Sequence, residues 1–288
     1  MPSSRKAPER MQQPEIIKYP RTPHIEGSKL QPGDSAHDQV SIAQLRALYP
    51  DAKWVSEEKL DGANTGLFFD HGLEQHIQSR GHVLRGGARE GQFNLYKQWA
   101  RHFEAELMER LEDRYRTFHE WTFAKHTQFY DALPHYLHEF DILDTKEGIW
   151  LSTQRRHALL EGLPMLSVPV ISTEWPRDRK HLTSLVGPSV YRTGNWRENL
   201  AIQAERAGVS PEQALMECGA DRPDADLCEG IYIKIEDDDQ VLARFKYVRP
   251  GFLQTILDSG SHWQDRPQVQ NMLRDDADLF PSPARPEW

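Results

Sequence analysis

Residues 57–64 read Glu57-Glu58-Lys59-Leu60-Asp61-Gly62-Ala63-Asn64, and the placement of that octet decides the fold. Alternate side chains of a strand point to one face, so Lys59 and Asp61 share a side. Gly62 lets the backbone turn sharply or pass close to a phosphate. On this reading Lys59 is a nucleophile at a strand end. The octet alone favours a solvated lysine before an ordinary turn, because Lys-x-Asp-Gly arises by chance in roughly one chain in fifteen of this length. The segments around it change that balance.

Strand-like stretches flank the octet: Lys53–Lys59, then Asn64–Asp70, a turn at His71-Gly72, and Glu74–Ser79. Short strands joined by turn residues predict an antiparallel sheet rather than βαβ units. Upstream, residues 1–14 read as a poorly ordered tail. Ile16–Gly33 reads as irregular around Lys18-Tyr19-Pro20-Arg21-Thr22-Pro23-His24, and Ser41 caps a short helix through Leu48, stopped by Pro50. Downstream, Arg80–Gly91 is a glycine-rich loop. Leu95, Trp99, Phe103, Leu107, Leu111 and Tyr115 recur every fourth residue and predict one helix from Asn94 to Arg116. Strands follow at Thr117–Ala124 and His135–Asp144.

Residues 153–220 turn helical in character. Ser210-Pro211-Glu212-Gln213 combines an N-cap, a proline at the first helical position and a capping-box glutamine, and Gly219 supplies the stop. Sheet character returns at Gly230–Ile235 and Val241–Val248 around the acidic turn Glu236–Asp239. A short helical stretch, Phe252–Leu257, precedes a proline-rich end. The chain contains no internal repeat.

Composition narrows the function classes. Over 288 residues the chain is 38% apolar and 27% charged, as in soluble globular proteins with one large core or two modest ones. It has no apolar run that would span a bilayer and no signal-peptide core. Cys218 and Cys228, the only cysteines, make no disulfide framework and match no zinc spacing, so a cytoplasmic location is expected. A net charge of −9 argues against a protein that coats nucleic acid indiscriminately, though not against an enzyme with one basic face. Three basic clusters stand out: Arg80, Arg85 and Arg89; Arg177, Arg179 and Lys180; Arg244, Lys246 and Arg249. Each reads more readily as solvated surface than as a groove.

Four further segments fall in a meaningful order: Ser79-Arg80-Gly81, His119-Glu120-Trp121, Glu139-Phe140-Asp141, and Glu229-Gly230-Ile231-Tyr232-Ile233-Lys234 ahead of Ala243-Arg244-Phe245-Lys246-Tyr247. With the octet, they resemble the covalent nucleotidyltransferases, the superfamily of ATP-dependent DNA ligases, RNA ligases and mRNA capping enzymes. The match is nearest the RNA ligase 2 class. It spans roughly residues 50–250, and five motifs in order make a far more specific signal than one.

The resemblance implies an α+β nucleotidyltransferase (adenylyltransferase) fold, with antiparallel sheets around an ATP cleft and helices outside. Lys59 would carry AMP, with Arg244 and Lys246 stabilising the transferred phosphoryl group. Glu58 would contact adenine, Asn64 and Arg80 the ribose or phosphate ends, and Lys234 the phosphates. Phe140 would stack on the base, or serve as core. A lysine attacks phosphorus only as a neutral amine, and neighbouring carboxylates push its pKa the wrong way. Asp61, Glu120 and Glu229 therefore fit better as holders of Mg²⁺ or Mn²⁺, through its waters or directly.

Two departures stand beside these matches. Arg244 occupies a position where the family usually has lysine, so the geometry of its role is open. Only 38 residues follow Pro250, where the RNA ligase 2 prototype has a helical domain; the insertion over about 153–226 could take over RNA gripping. The expected organisation is thus a tail (1–14), an adenylyltransferase domain (15–250) and a short extension (251–288) without an OB domain. Asn64, where ATP-dependent DNA ligases usually have arginine, favours RNA. No phosphate-loop motif is present, so RNA ends with 5′-phosphate and 3′-hydroxyl would come from a separate end-healing enzyme. The expected activity is RNA repair by an ATP-dependent RNA ligase; a DNA-nick ligase and a non-catalytic RNA- or nucleotide-binding relative are the alternatives. His135-x-x-His138-Glu139 has helical metal-ligand spacing but lies in a strand, which favours packing.

Overall fold

A computed structural model describes residues 14–30, 39–258 and 267–282. The tail expected over residues 1–14 lies outside the described residues, Pro14 apart. The first elements are α1 (Ile42–Leu48), β1 (Lys53–Glu58), β2 (Ala63–Phe69), β3 (Gln75–Ser79), α2 (Asn94–His102), α3 (Glu104–Leu111), β4 (Tyr115–Trp121), β5 (Leu137–Asp144) and β6 (Ile149–Trp150). Then come α4 (Thr153–Leu160), β7 (Leu166–Ser167), β8 (Val170–Ser172), α5 (Arg179–Ser184), α6 (Trp196–Arg206), α7 (Pro211–Glu217), β9 (Gly230–Glu236), β10 (Val241–Val248) and α8 (Pro250–Asp258). Among the described residues, no helix is long and apolar enough to cross a membrane.

Two antiparallel sheets carry the molecule, as expected. One runs β10-β9-β1-β8; the other runs β3-β2-β4-β5-β6, with β7 pairing parallel to β5. Alternation sorts the first sheet into two faces. Trp54, Ile231, Ile233, Ile235, Phe245 and Tyr247 form one, buried under Ile42 and Leu45 of α1 and Leu182 of α5. Each such side chain contributes ~1.5–3 kcal/mol by leaving water. Glu57, Tyr232, Lys234, Arg244 and Lys246 stand on the other face, in register across the three strands. The second sheet buries its back against Tyr96, Trp99, Phe103, Leu107 and Leu111 of α2 and α3.

Three expectations need correction. The helix over 94–116 is two helices, because the chain leaves helical geometry at Phe103 (φ −102°, ψ 21°), and Tyr115 opens a strand. The apolar stripe nonetheless runs through the break, since its four-residue spacing outlasts one rigid helix. The segment 153–226 is not helical throughout: β-branched Val170 and Ile171 build β8 on the edge of β1. In the cap of α7, Ser210 accepts from Gln213 N as expected, but the Gln213 side chain donates to Glu217 instead of accepting from the cap's backbone N–H. Gly219 (φ +61°) does end that helix, in the left-handed conformation glycine tolerates.

The ends of the described chain are woven into this frame. Residues 269–274 lie along the β4–β5 connection, through Lys125 N to Val269 O (2.7 Å), Met272 N to Tyr130 O (2.9 Å) and Asn271 to Thr122 O and Tyr130 N. At the other end, Gln78 donates to Ile17 O, Tyr19 enters the space between the sheets, and Ile25 N donates to Lys246 O on the edge of β10 (3.0 Å). Residues 15–29 thus strap the two sheets together.

Candidate functional site

Lys59 leaves β1 beside the start of β9, where its amide donates to Gly230 O (3.1 Å). Its ammonium lies 2.7 Å from Glu229 Oε1. Glu120, on β4, accepts from the Gly62 amide (2.8 Å) and adds a second negative charge near the lysine; Asp61 adds a third. Burial drives the Glu120 and Glu229 carboxyls up to about 7, against the pull of Lys59. For Lys59 burial acts downward, yet Glu229, Glu120 and Asp61 outweigh it and hold its pKa above the ordinary value. The resting lysine is therefore a charged ammonium.

The three expected metal holders are brought together around Lys59, though not onto one point. Asp61 Oδ2 accepts from the amides of Thr127 (2.7 Å) and Gln128 (2.6 Å), and Asp61 N donates to Tyr130 Oη (2.8 Å). That carboxylate pins the β4–β5 connection to the turn after Lys59. Among the described residues, the group whose ligand atoms all lie within 4.8 Å is Asp70, Glu74 and His76, on the exposed β2–β3 hairpin. The Lys59 carboxylates thus suit a hydrated cation held through its waters, the habit of magnesium. Two glycines keep this geometry possible. A Cβ on Gly62 would lie 2.6 Å from Trp121 O, and one on Gly230 1.9 Å from Tyr247 O.

Between the two sheets, charged side chains meet largely out of reach of water. Arg156 of α4 donates to Glu139 of β5 (2.8 Å) and to Glu57 of β1. Lys234 of β9 pairs with Glu57 (2.8 Å), lies 3.9 Å from Asp141 and donates to Phe140 O. Arg244 Nε donates to Asp141 Oδ2 (2.7 Å), while its guanidinium lies over Trp150, 4.1 Å from the ring centre. Tyr19 of the strap completes the group through Asp141 and Tyr232. Burial would raise the Asp141 carboxyl, but Arg244, Lys234 and Arg156 hold it below its ordinary value. Three cations and three carboxylates balance, as buried charges require.

The expected site residues lie in different settings. Lys234 and Arg244 each face a protein carboxylate rather than open cleft, and Lys234 is fully buried. Lys246 stands nearer Lys59, where its charge lowers the Glu229 pKa. Phe140, 9% exposed, meets the edge of Tyr19 (centroids 5.0 Å apart, 88°) and tilts against Tyr232. Glu58 is buried against the segment before α6, accepting from Val190 N (3.4 Å), and burial raises its pKa. Asn64 stands opposite Glu120. Arg80 is exposed just after Ser79, which pairs with Thr65, so it shares that end of the sheet.

The Trp121 indole donates to Gln92 O and stacks on Tyr96, whereas the Tyr130 hydroxyl lies at the site and accepts from Asp61 N. Sequence reasoning missed Arg156, Glu57, Asp141 and Tyr19. Glu57 was within reach of it, two residues before Lys59 on the same strand face. Arg156 was not, lying 99 residues from one partner.

A model of the family described as RNA ligase matches residues 52–248, from β1 through β10. The chain belongs to the RNA ligase family. A search of curated proteins found no match. Solved structures similar to this RNA ligase family member include three of Naegleria gruberi RNA ligase. A mutant with ATP and Mn shares 16% identity (TM-score 0.48, covering 85% of this chain and 64% of that one). Another mutant, with AMP and Mn, shares 17% (TM-score 0.49; 82% and 62%). The protein with PPi shares 17% (TM-score 0.48; 85% and 64%). The family member described here thus spans less than two thirds of the Naegleria chain.

Proposed function

We propose that the chain is an ATP-dependent RNA ligase that joins 5′-phosphate and 3′-hydroxyl ends through a covalent lysyl-AMP. The observation that carries this reading is Lys59 held 2.7 Å from Glu229, inside a segment matched to the RNA ligase family. Lys59 attacks as the neutral amine, a form that a nearby cation favours and that its carboxylate neighbours oppose, and its proton passes to water. Lys59 Nζ then bonds the α-phosphorus of ATP as the bond to pyrophosphate breaks. A 5′-phosphate oxygen next displaces Lys59 from that phosphorus. Finally the 3′-hydroxyl attacks the 5′-phosphate and AMP departs. Each step is phosphoryl transfer with a charged leaving group, so one cradle serves all three.

Glu120 and Glu229 would hold a hydrated Mg²⁺ or Mn²⁺, which, when bound, neutralises phosphate charge and lowers the lysine pKa. Lys246 faces the same phosphates. Asn64 and Arg80, at one end of the second sheet, bind ribose or the 5′-phosphate strand; arginine suits phosphate because its fork bonds two oxygens. The domain is the two-sheet unit, with the 153–226 insertion gripping RNA.

Sealing of a 5′-labelled nick with ATP and Mg²⁺ tests the proposal. RNA nicks should be sealed, with an adenylylated 5′ end as intermediate. Sealing of DNA nicks alone would replace it with a DNA ligase, and binding without sealing of either would make the chain a non-catalytic relative.

A further inference from the structure

His138 belongs to no role so far. It stands directly opposite Glu120 in the β4–β5 ladder, and Glu120 stands opposite Asn64. Directly opposed residues project to one face, so these three form a row on the face that Glu120 presents toward Lys59. His138 is fully buried, yet neither ring nitrogen has a hydrogen-bond partner. Buried polar atoms are rarely left so, because each forfeits its hydration. Packing alone does not account for them: the ring tilts against Tyr191 (centroids 5.0 Å apart, 37°), a contact phenylalanine would make without the two nitrogens.

A second orphan lies beside the first. Glu58 Oε1 is buried without a hydrogen bond, while the carboxylate is held from the neighbouring segment by Ser189 and by the amide of Val190, the residue before Tyr191. The charge of Glu58 reaches the Tyr191 phenol and helps to raise its pKa, behind the larger effect of burial. Glu58 and His138 therefore both act on Tyr191, each with unpaired polar atoms. A neutral imidazole offers one donor and one acceptor, and both are unused here. A carboxylate acceptor, a neutral imidazole and an aromatic face complement a flat heteroaromatic ring that carries an amine and ring nitrogens.

We propose that His138 reads the base of the nucleotide, hydrogen-bonding a purine edge and so setting the preference for adenine. The assignment rests on the reading that this cleft binds ATP. A site built to hydrogen-bond a base discriminates against bases that leave it unpaired.

His138→Phe keeps a ring on Tyr191 and deletes both nitrogens. Calorimetric binding of AMP and GMP, which needs no catalysis, is the direct measure. In the variant the Kd for AMP should rise about tenfold, the AMP-to-GMP preference should narrow, and the Tm should not fall. KM for ATP in adduct formation should rise likewise, with kcat within about threefold. A variant with unchanged AMP affinity and unchanged preference overturns the assignment, even if its Tm moves. If the phenylalanine variant fails to fold, His138→Leu is read by the same two quantities. Wild-type protein that binds AMP but forms no adduct would defeat the ligase reading and leave this test standing. Wild-type protein that binds neither nucleotide defeats both.

Discussion

Arg156 bridges Glu57 and Glu139, and with them the two sheets: one terminal nitrogen serves β1 and the other β5, with all three side chains fully buried. Removing one member of such a set leaves uncompensated buried charge. Arg156→Leu should therefore lower stability by ~3–5 kcal/mol in urea unfolding. Arg156→Lys should recover only part of this, because a single ammonium cannot fork between two strands. A leucine variant as stable as wild type would remove this network from the account of what holds the sheets together.

Arg244 and Lys246 share a strand face but not a setting, and their alanine variants should separate. Lys246→Ala should slow lysyl-AMP formation more than tenfold, the scale of losing one phosphate-directed charge, with a Tm near wild type. Arg244→Ala should lose adenylylation and stability together, since it strips Asp141 of its 2.7 Å partner. Quenched-flow adenylylation beside thermal melts would show the split; equal Tm losses would contradict it.

The crowded carboxyls at Lys59 fix a sign for pH dependence. Glu120 and Glu229 titrate near 4.5 when unfolded and are raised to about 7 by burial in the folded protein. The folded state thus holds more protons between those values. Their stabilising contribution is complete below pH 4.5 and is lost as pH rises through 7. Glu229→Gln should flatten the fall in unfolding free energy between pH 5 and 8. A steeper fall in that variant would contradict the assignment.

Close packing around Gly230 leaves no space for a methyl group. Gly230→Ala should force β9 from β10 and cost ~1–3 kcal/mol or more, because its Cβ would lie 1.9 Å from Tyr247 O. Gly91→Ala, with nothing within 4 Å, should be close to neutral. Similar melting temperatures for the two variants would show that the ladder yields at Gly230.

What the sequence disclosed follows the range of the interactions involved. Val241–Val248 is a strand with the bounds expected from it, because alternation and a preceding acidic turn are local signals. Ser41 and Gly219 mark helix ends for the same reason. The break at Phe103 carries no proline or glycine, so periodicity read straight through it. β8 was hidden because a three-residue strand becomes one only by pairing with β1. At the site, Lys59, Glu120 and Glu229 were legible as ordered motifs. That Lys234 and Arg244 face Glu57 and Asp141 was not, since those pairings depend on how two sheets face each other.

The most direct test is the position of the AMP adduct. Wild-type protein incubated with α-labelled ATP and Mg²⁺, then denatured and digested, should carry label on the peptide containing Lys59, through an acid-labile phosphoramide. Lys59→Ala should carry none while keeping the wild-type Tm within a few degrees. Equal labelling of Lys59→Ala, or label mapped to another lysine, would contradict the account.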